Sequence, residues 1–214
     1  MTRAGTAYGL GATTRTVILP PIQSQGLGFL ITVRPMSYQL RTATRADQPA
    51  LQRLIARSAR ELGAQDYRPE QIEGALRGAF GVDTQLIDDG TYFVAEQNGK
   101  LVGCGGWSRR RTLFGGDSHR ERDAGELDPR VDAAKIRAFF VDPDYARRGI
   151  GRALLQRCES EARAHGFTRF ELMGTLPGVR LYQALGYQPG ELVHYPVASG
   201  VTIEFVPMRK ELNP

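Results

Sequence analysis

Residues 139–155 carry most of the structural information in this 214-residue chain, and they read FFVDPDYARRGIGRALL. The apolar start is typical of a buried β-strand, and Pro143 ends that strand in a turn. An arginine- and glycine-rich loop follows, and apolar residues at helical spacing begin directly after Gly149. The segment therefore predicts a strand, a loop and a helix, with no linker between the loop and the helix.

The predicted loop has the composition of an anion site. Gly149 and Gly151 lack a Cβ, so backbone N–H groups can approach a ligand closely. The first turn of a helix adds unpaired N–H donors and the positive end of the helix dipole. Arg147, Arg148 and Arg152 surround the same point with permanent positive charge. These features predict a site for a pyrophosphate.

Two better-known phosphate loops do not fit this segment. A P-loop requires a Gly-Lys pair followed by Ser or Thr, which the chain lacks. A dinucleotide fingerprint requires G-x-G-x-x-G, and Leu154 stands where its third glycine or alanine belongs. A glycine-softened turn that starts an ordinary surface helix is the plainer alternative.

Residues 141–155 resemble motif A of the GNAT acetyltransferase superfamily, often written Gln/Arg-x-x-Gly-x-Gly/Ala. The resemblance implies that the loop amides hold the pyrophosphate of acetyl-CoA. The chain departs from the motif at its first position, which is Ala146, and the adjacent Arg147 and Arg148 can supply side-chain contacts instead. The cofactor-binding residues implied in this way are Phe139, Phe140, Val141, Arg147, Arg148, Gly149, Ile150, Gly151, Arg152 and Ala153.

The strand before the loop is expected to lie beside the pantetheine arm of the cosubstrate. In the family a bulge splays this strand from the next one, and its free amides pair with the arm as an added strand would. The resemblance assigns these contacts, and polarisation of the thioester carbonyl, to the backbone of Phe139, Phe140 and Val141. The two phenylalanine rings can fill the core at the same time.

A second motif supplies the candidate acid. Residues 181–187, LYQALGY, are similar to the superfamily's L-Y-x-x-x-G-[FY] segment, whose tyrosine donates a proton to the thiolate of CoA. Tyr182 inherits that catalytic role by resemblance, and a phenol with a pKa near 10 is a suitable acid for a thiolate. A core tyrosine packed on the last helix is the alternative. The family often has Asn six residues earlier, where this chain has Leu176.

The general base is left unassigned. The superfamily sometimes places Glu early in the strand before the loop, but Lys135 lies near that position. Asp117, His119 and Glu171 are candidates, and a chain of water molecules is another. His119 has the most suitable intrinsic pKa, although a histidine in a polar loop is more often simply solvated.

Three features of the sequence are candidates for acceptor recognition. Tyr67, Trp107 and residues 109–111 lie where acceptor pockets form in the GNAT fold. A core position is the stronger interpretation of Trp107. The three arginines at 109–111 could attract an acidic acceptor or the adenosine 3′-phosphate of the cosubstrate. The alternative is that they form a solvated strand end.

The order of predicted elements is similar to the GNAT fold from about Met36 to the end of the chain. It predicts an α+β fold with a mixed, mostly antiparallel central sheet flanked by helices on both faces. The predicted elements of the first half are a strand at 38–43, a helix capped by Asp47 or Thr44, a helix at 69–80, and strands at 91–96 and 101–107 joined by an Asn98-Gly99 turn. The second half is predicted to contain a strand at 135–141, a helix from 150 to Gly166, a strand at 167–173, a helix at 179–185, and strands around Leu192 and at 202–208.

Composition restricts the class of protein. Hydrophobic residues make up 41% of the chain and charged residues 24%, and no run of eighteen apolar residues predicts a membrane span. The two cysteines, Cys104 and Cys158, have no zinc-site spacing, so we expect reduced thiols and no metal. The net charge of +5 suits an anionic cosubstrate and does not demand nucleic acid.

Residues 1–35 differ from the rest of the chain, because they are rich in Gly, Thr and Pro and no acidic residue precedes Asp47. We expect a poorly ordered N-terminal extension at 1–35 and an N-acetyltransferase domain at 36–214. The same composition also fits an organelle transit segment, but a cytoplasmic protein is expected.

The resemblance favours an acetyltransferase that moves an acetyl group from acetyl-CoA directly to a primary amine of a small molecule or protein. The alternative is a non-catalytic acyl-CoA-binding module with the same loop. A nucleic-acid binder is a third interpretation, but neither a helix-turn-helix pattern nor zinc spacing supports it. We expect no nucleic-acid or membrane partner, and a homodimer stays open.

Overall fold

The computed structural model of the protein describes residues 38–119, 123 and 125–212. The predicted extension at 1–35 lies outside these residues. The described residues form eight strands and five α-helices: β1 Gln39–Thr42, α1 Gln48–Gly63, α2 Pro69–Ala75, α3 Thr84–Asp88, β2 Tyr92–Gln97, β3 Lys100–Ser108, β4 Ala134–Val141, α4 Ile150–Ala164, β5 Arg169–Thr175, α5 Val179–Gln183, β6 Gln188–Pro189, β7 Val193–Ala198 and β8 Val201–Glu211.

All eight strands belong to one sheet with the order β1-β2-β3-β4-β5-β8-β6, and β7 also pairs with β8. Every pairing is antiparallel except β4 with β5, which is parallel. Alternate residues of β2 face opposite sides: Tyr92 and Val94 pack with α1, α2 and α3, whereas Phe93 and Ala95 pack with α4. The predicted α+β class, with helices on both faces of a mostly antiparallel sheet, is confirmed.

The sheet opens between its two parallel strands. Only residues 134–136 of β4 pair with residues 170–172 of β5, so the strands separate beyond that point. On the other side of β4, Gly105 of β3 lies opposite both Ala138 and Phe139 in a bulge, with Ala138 at φ 55°. A Cβ on Gly105 would lie 2.6 Å from the Phe139 ring, so glycine is required there. The bulge and the separation together create a cleft beside β4.

One helical prediction was wrong in its extent, and one helix was not predicted. The helix predicted at 69–80 ends at Ala75, because the Phe80 amide donates back to the Ala75 carbonyl in a turn that contains the weak helix former Gly78. The short helix α3 was not predicted. Its first residue follows Asp83, which is fully buried and pairs with Arg137 of β4, a contact that no local pattern reveals.

None of the helices in the described part of the chain is long and apolar enough to cross a membrane.

Candidate active site

The N-terminus of α4 presents unpaired amides. Gly149 caps the helix at φ 81°, and a Cβ at this position would meet no atom within 4 Å. The first intrahelical bond runs from the Ala153 N–H to the Gly149 carbonyl at 3.0 Å. The amides of Ile150, Gly151 and Arg152 precede that bond and are available to a ligand, whereas the Ala153 amide is used inside the helix.

The missing side chain of Gly151 allows close packing, and the residue has no positive φ that would need glycine. A Cβ there would lie 2.9 Å from Cδ2 of Leu181, on α5. The missing side chain lets α5 approach the first turn of α4. Since the next residue of α5 is Tyr182, this contact fixes the candidate acid relative to the loop.

The cleft beside β4 has a volume of about 530 Å³. Of the described residues that line it, the only charged ones are Arg147, Arg152 and Arg180, and all three are exposed. Arg148 lies outside the lining, with its guanidinium 5.2 Å from the centre of the Tyr145 ring. The cleft therefore suits an anionic ligand, and Arg148 is placed to support the loop rather than to line the cleft.

Asp142 anchors the turn that leads into the loop. Its buried carboxylate accepts hydrogen bonds at 2.8 Å from both Arg57 of α1 and Lys100 of β3, and at 3.0 Å from the Asp144 amide. Burial alone would raise the pKa of Asp142, but the Lys100 and Asp144 bonds and the charges of Lys100 and Arg57 hold that pKa below its usual value. The turn is thus tied to two other elements.

Residues 139–141 of β4, to which the family resemblance assigns the pantetheine contact, line the cleft. The Val141 N–H donates to Oγ of Ser58 at 3.3 Å, so this amide already has a partner from α1. The Phe139 ring packs edge-on against Tyr182 at 6.4 Å, and the Phe140 ring against Phe80 at 5.7 Å. Both phenylalanine rings therefore pack against other aromatic rings beside the cleft.

Tyr182 lies at the inner end of the cleft and is 8% exposed. Its ring packs against Phe139 and against Tyr187. Burial raises the pKa of Tyr182 above the usual value of a phenol, so its hydroxyl stays protonated at neutral pH. Leu176, which replaces the family's Asn, instead donates its N–H to the Tyr67 hydroxyl at 2.8 Å.

Two further spaces adjoin the cleft on the α1 side of the sheet. The inner cavity, of about 60 Å³, is lined by residues 79–81, 114–115 and 136–140 together with Met173, Thr175, Tyr182 and Phe205. The outer cavity, of about 360 Å³, is lined by residues of α1, by Leu76, Gly78 and residues 80–82, and by residues 116–118. Phe80 lines the cleft and both cavities.

The three candidate bases lie in different environments. Asp117 lines the outer cavity, where its carboxylate accepts from the Thr84 amide at 2.9 Å and the Thr84 hydroxyl at 3.0 Å. His119 is buried with Nδ1 3.2 Å from the Tyr195 hydroxyl, and it lines none of the three spaces. Glu171 forms an ion pair with Lys135. The structure brings none of them next to Tyr182.

The residues predicted near an acceptor pocket have mostly structural contacts. Trp107 is fully buried and packs against Phe167, in agreement with its core interpretation. Tyr67 lines the cleft, but its hydroxyl donates to the Glu204 carbonyl at 2.7 Å as well as accepting from Leu176.

The arginine run at 109–111 also has mostly structural contacts. Arg110 donates to both carboxylate oxygens of Asp89, at 2.7 and 2.8 Å, and Arg109 pairs with Asp89 and Glu126. Arginines 109–111 line neither the cleft nor the cavities.

Sequence reasoning missed several residues of the site. Ser58 carried a signal, since it is a polar residue at a buried position on the apolar face of α1. Arg180 stands two residues before Tyr182, so its proximity to the cleft could have been proposed. Phe80 carried no such signal, because it was predicted to be the last residue of a helix at 69–80.

The chain belongs to the acetyltransferase (GNAT) family, whose model matches residues 50–187. A curated relative, the [Ribosomal protein bS18]-alanine N-acetyltransferase of Escherichia coli, is 32% identical over 75 residues, which make up 33% of this chain and 51% of the relative. The chain thus spans about half the length of the curated relatives it matches.

Solved structures share the fold at low sequence identity. A GCN5-related N-acetyltransferase from Rhodopseudomonas palustris superposes with a TM-score of 0.61 at 21% identity, covering 83% of this chain and 98% of that one. The PaiA N-acetyltransferase of Thermoplasma acidophilum, solved in complex with coenzyme A, superposes with a TM-score of 0.57 at 15% identity. The match covers 83% of this chain and 100% of that one. The family resemblance seen in the sequence is confirmed.

Proposed function

We propose that the chain transfers an acetyl group from acetyl-CoA to a primary amine of a small molecule or protein. The observation that carries this proposal is the row of free amides at residues 150–152, which opens onto a cleft that leads along β4 to Tyr182. A diphosphate at those amides would fix where the far end of the pantetheine arm lies. A relative in this family is named for acting on an alanine of ribosomal protein bS18. We therefore include protein amines among the acceptors proposed for this chain.

The residues present fit the cosubstrate. The donors of residues 150–152 and the cations Arg147, Arg152 and Arg180 would hold the diphosphate. The backbone of residues 139–141 would align the arm, although the Val141 amide would have to exchange its Ser58 partner for the ligand. These contacts would bring the thioester next to Tyr182.

The proposed transfer is direct. The amine nitrogen attacks the thioester carbonyl carbon, the carbon–sulfur bond breaks, and the sulfur takes a proton from the Tyr182 hydroxyl. The nitrogen loses a proton to solvent, since no base is assigned, and Tyr182 takes up a proton from solvent to return to its starting form. Burial raises the pKa of Tyr182, so the hydroxyl carries its proton at neutral pH. The proposal places the reaction in the cytoplasm, in a domain at 36–214, with a homodimer left open.

Two measurements test the proposal. Calorimetric titration with CoA and acetyl-CoA should give saturable binding, and a panel of amines should contain one that releases free thiol from acetyl-CoA. Absence of CoA binding would overturn the assignment of the loop. Tight CoA binding without turnover of any amine would favour the non-catalytic acyl-CoA-binding module.

A further inference from the structure

The bulge in β4 holds the backbone in a conformation that its own residues do not favour. Ala138 lies inside a strand, yet it adopts φ 55°, in the left-handed region that glycine, asparagine and aspartate usually occupy. Alanine has no polar side chain that could form a local hydrogen bond to stabilise this angle. The conformation therefore depends on contacts from other elements.

Two buried side chains supply such contacts at the Ala138 carbonyl. The Cys104 thiol of β3 donates to this oxygen, with Sγ at 3.6 Å. The Tyr92 hydroxyl of β2 lies 3.4 Å from the same oxygen and 3.3 Å from Sγ of Cys104. A phenol has one proton, so Tyr92 donates either to the carbonyl or to the sulfur. Both arrangements tie the Ala138 peptide group to β2 and β3.

The bulge forms part of the wall beside which the thioester is proposed to lie. Ala138 lines the inner cavity, and Phe139 lines both that cavity and the cleft, as Tyr182 does. With acetyl-CoA in the cleft, an amine would meet the thioester at this junction. The angle at Ala138 sets the direction of the backbone amides that follow, so it decides whether they can donate to the thioester carbonyl.

Tyr92 and Cys104 have no direct access to the reacting groups. Both side chains are fully buried, and neither lines the cleft, the inner cavity or the outer cavity. Burial raises the pKa of the Cys104 thiol to about 12, and it raises the pKa of Tyr92 well above the usual value of a phenol. Because the thiolate is the nucleophilic form of cysteine, Cys104 is unsuited to carrying an acyl group. A hydrogen-bonding role remains for both residues.

We propose that Tyr92 and Cys104 are positioning residues, which fix the bulge at Ala138 and so aim the amides of β4 at the thioester carbonyl. This inference rests on the proposed acetyl transfer. It assigns polarisation of the carbonyl to a hydrogen-bonded unit of three strands, in which β4 makes the contact and β2 and β3 hold β4 in place. Loss of either side chain should disturb the acetyl group of the bound cosubstrate and spare the rest of CoA.

The test measures the acetyl group separately from the rest of the cosubstrate. Calorimetry gives the affinities for acetyl-CoA and CoA, and infrared spectroscopy with acetyl-CoA labelled at the carbonyl carbon gives the stretching frequency of the bound carbonyl. In the wild-type protein, donation from the β4 amides should lower that frequency relative to free acetyl-CoA.

Tyr92→Phe and Cys104→Ala should each lose about half of this infrared shift. The preference for acetyl-CoA over CoA should fall about fivefold, which is the order of one neutral hydrogen bond. The affinity for CoA itself should stay within about twofold of the wild-type value. With an amine that the wild-type protein acetylates, kcat should fall about tenfold.

Each variant has a matched control on the other face of the sheet. Tyr187→Phe removes another buried phenol hydroxyl and Cys158→Ala removes another buried thiol, and both residues belong to the core on the α4 side. Neither control should change the infrared shift or the preference for acetyl-CoA. Cys104→Ser loses the volume of the sulfur as Cys104→Ala does but keeps a donor, so it should recover most of the shift.

The other outcomes overturn the inference. Absence of the shift in the wild-type protein, or an unchanged shift in Tyr92→Phe, would reject the positioning role and leave the acetyltransferase proposal intact. Equal losses of affinity for CoA and acetyl-CoA, or equal effects of Cys104→Ser and Cys104→Ala, would mean that the pair only supports packing of the core. If Cys104→Ala fails to fold, Tyr92→Phe decides alone, because it keeps its ring. Absence of CoA binding by the wild-type protein would overturn the proposed function and this inference with it.

Discussion

The proposed phosphate end and the proposed acceptor end of the candidate active site are built in different ways. At the phosphate end, one continuous segment from Asp142 to Arg152 supplies the turn, the loop and the first helical amides. At the acceptor end, the inner cavity takes its walls from the turn after α2, the loop after β3, three strands and α5. The first end depends on backbone donors, and the second depends on side chains from distant parts of the chain.

This difference predicts how the two ends respond to substitution. Backbone donors cannot be deleted by changing a side chain, so the phosphate end should fail only when something blocks it or distorts the turn. The acceptor end should be more adjustable, because wall side chains such as those of Phe114 and Phe205 lie outside the loop segment. Variants of the two ends should therefore separate CoA affinity from turnover.

The largest expected effect comes from blocking the free amides. Gly149→Glu would place a carboxylate in the open space above the α4 N-terminus, where it would repel the diphosphate and occupy its donors. Loss of two charge-assisted hydrogen bonds corresponds to roughly a thousandfold weaker CoA binding by calorimetry.

The control for this variant is Gly200→Glu. Gly200 also has a positive φ, of 70°, and a Cβ there would meet no atom within 4 Å, but it lies in the turn between β7 and β8. It carries the same backbone strain and the same charge, so CoA affinity should be unchanged. Unchanged affinity in Gly149→Glu would reject the loop assignment.

The contrast between the two ends also explains which parts could be predicted from sequence. The strand, turn, loop and helix at 139–155 were predictable, because a short segment with Gly149 and an apolar helical face specifies them locally. The helix predicted at 69–80 and the unpredicted α3 border the acceptor end, where Phe80 turns inward and Asp83 meets Arg137. Those contacts join positions far apart in the chain, which propensity and periodicity do not report.

Removing the Tyr182 hydroxyl should affect turnover alone. Tyr182→Phe keeps the ring that packs on Phe139 but removes the proposed proton donor, so kcat should fall about a hundredfold with CoA affinity nearly unchanged. Because the pKa of Tyr182 is raised, wild-type kcat should show no alkaline decline from this group up to about pH 10.

Tyr187→Phe is the matched control for that change. Tyr187 is a buried tyrosine in contact with Tyr182, yet it does not line the cleft. The kcat of the Tyr187→Phe variant should stay within about threefold of the wild-type value. A parallel loss of kcat and CoA affinity in Tyr182→Phe would instead mean that Tyr182 is structural.

A substitution of Asp142 tests whether the turn before the loop depends on contacts with distant parts of the chain. Asp142→Asn removes the carboxylate that joins the turn to Arg57 of α1 and Lys100 of β3, and should lower the free energy of unfolding by about 2 kcal/mol at pH 7. Because the pKa of Asp142 is lowered by folding, its contribution is present above the unfolded value near 3.9 and is lost as pH falls through the folded value. The two proteins should therefore converge below about pH 4 in denaturant titrations.

Asp144→Asn is the control, since Asp144 pairs with the same Arg57 at 3.1 Å but its side chain is 64% exposed. The free energy of unfolding of Asp144→Asn should lie within about 0.5 kcal/mol of the wild-type value. Equal effects of the two variants would mean that the buried carboxylate adds nothing beyond a surface ion pair.

The smallest expected effects belong to the arginines around the loop. Arg147→Ala and Arg152→Ala should each weaken CoA binding about fivefold, because both side chains line the cleft but are exposed to solvent. Arg148→Ala should have less than about a twofold effect, since Arg148 packs over the Tyr145 ring outside the cleft lining. Raising the salt concentration should erase the differences among the three. If the alanine substitution of any one arginine weakened CoA binding as much as Gly149→Glu does, side chains rather than the amides of residues 150–152 would provide most of the binding. The two ends of the site would then both depend on side chains.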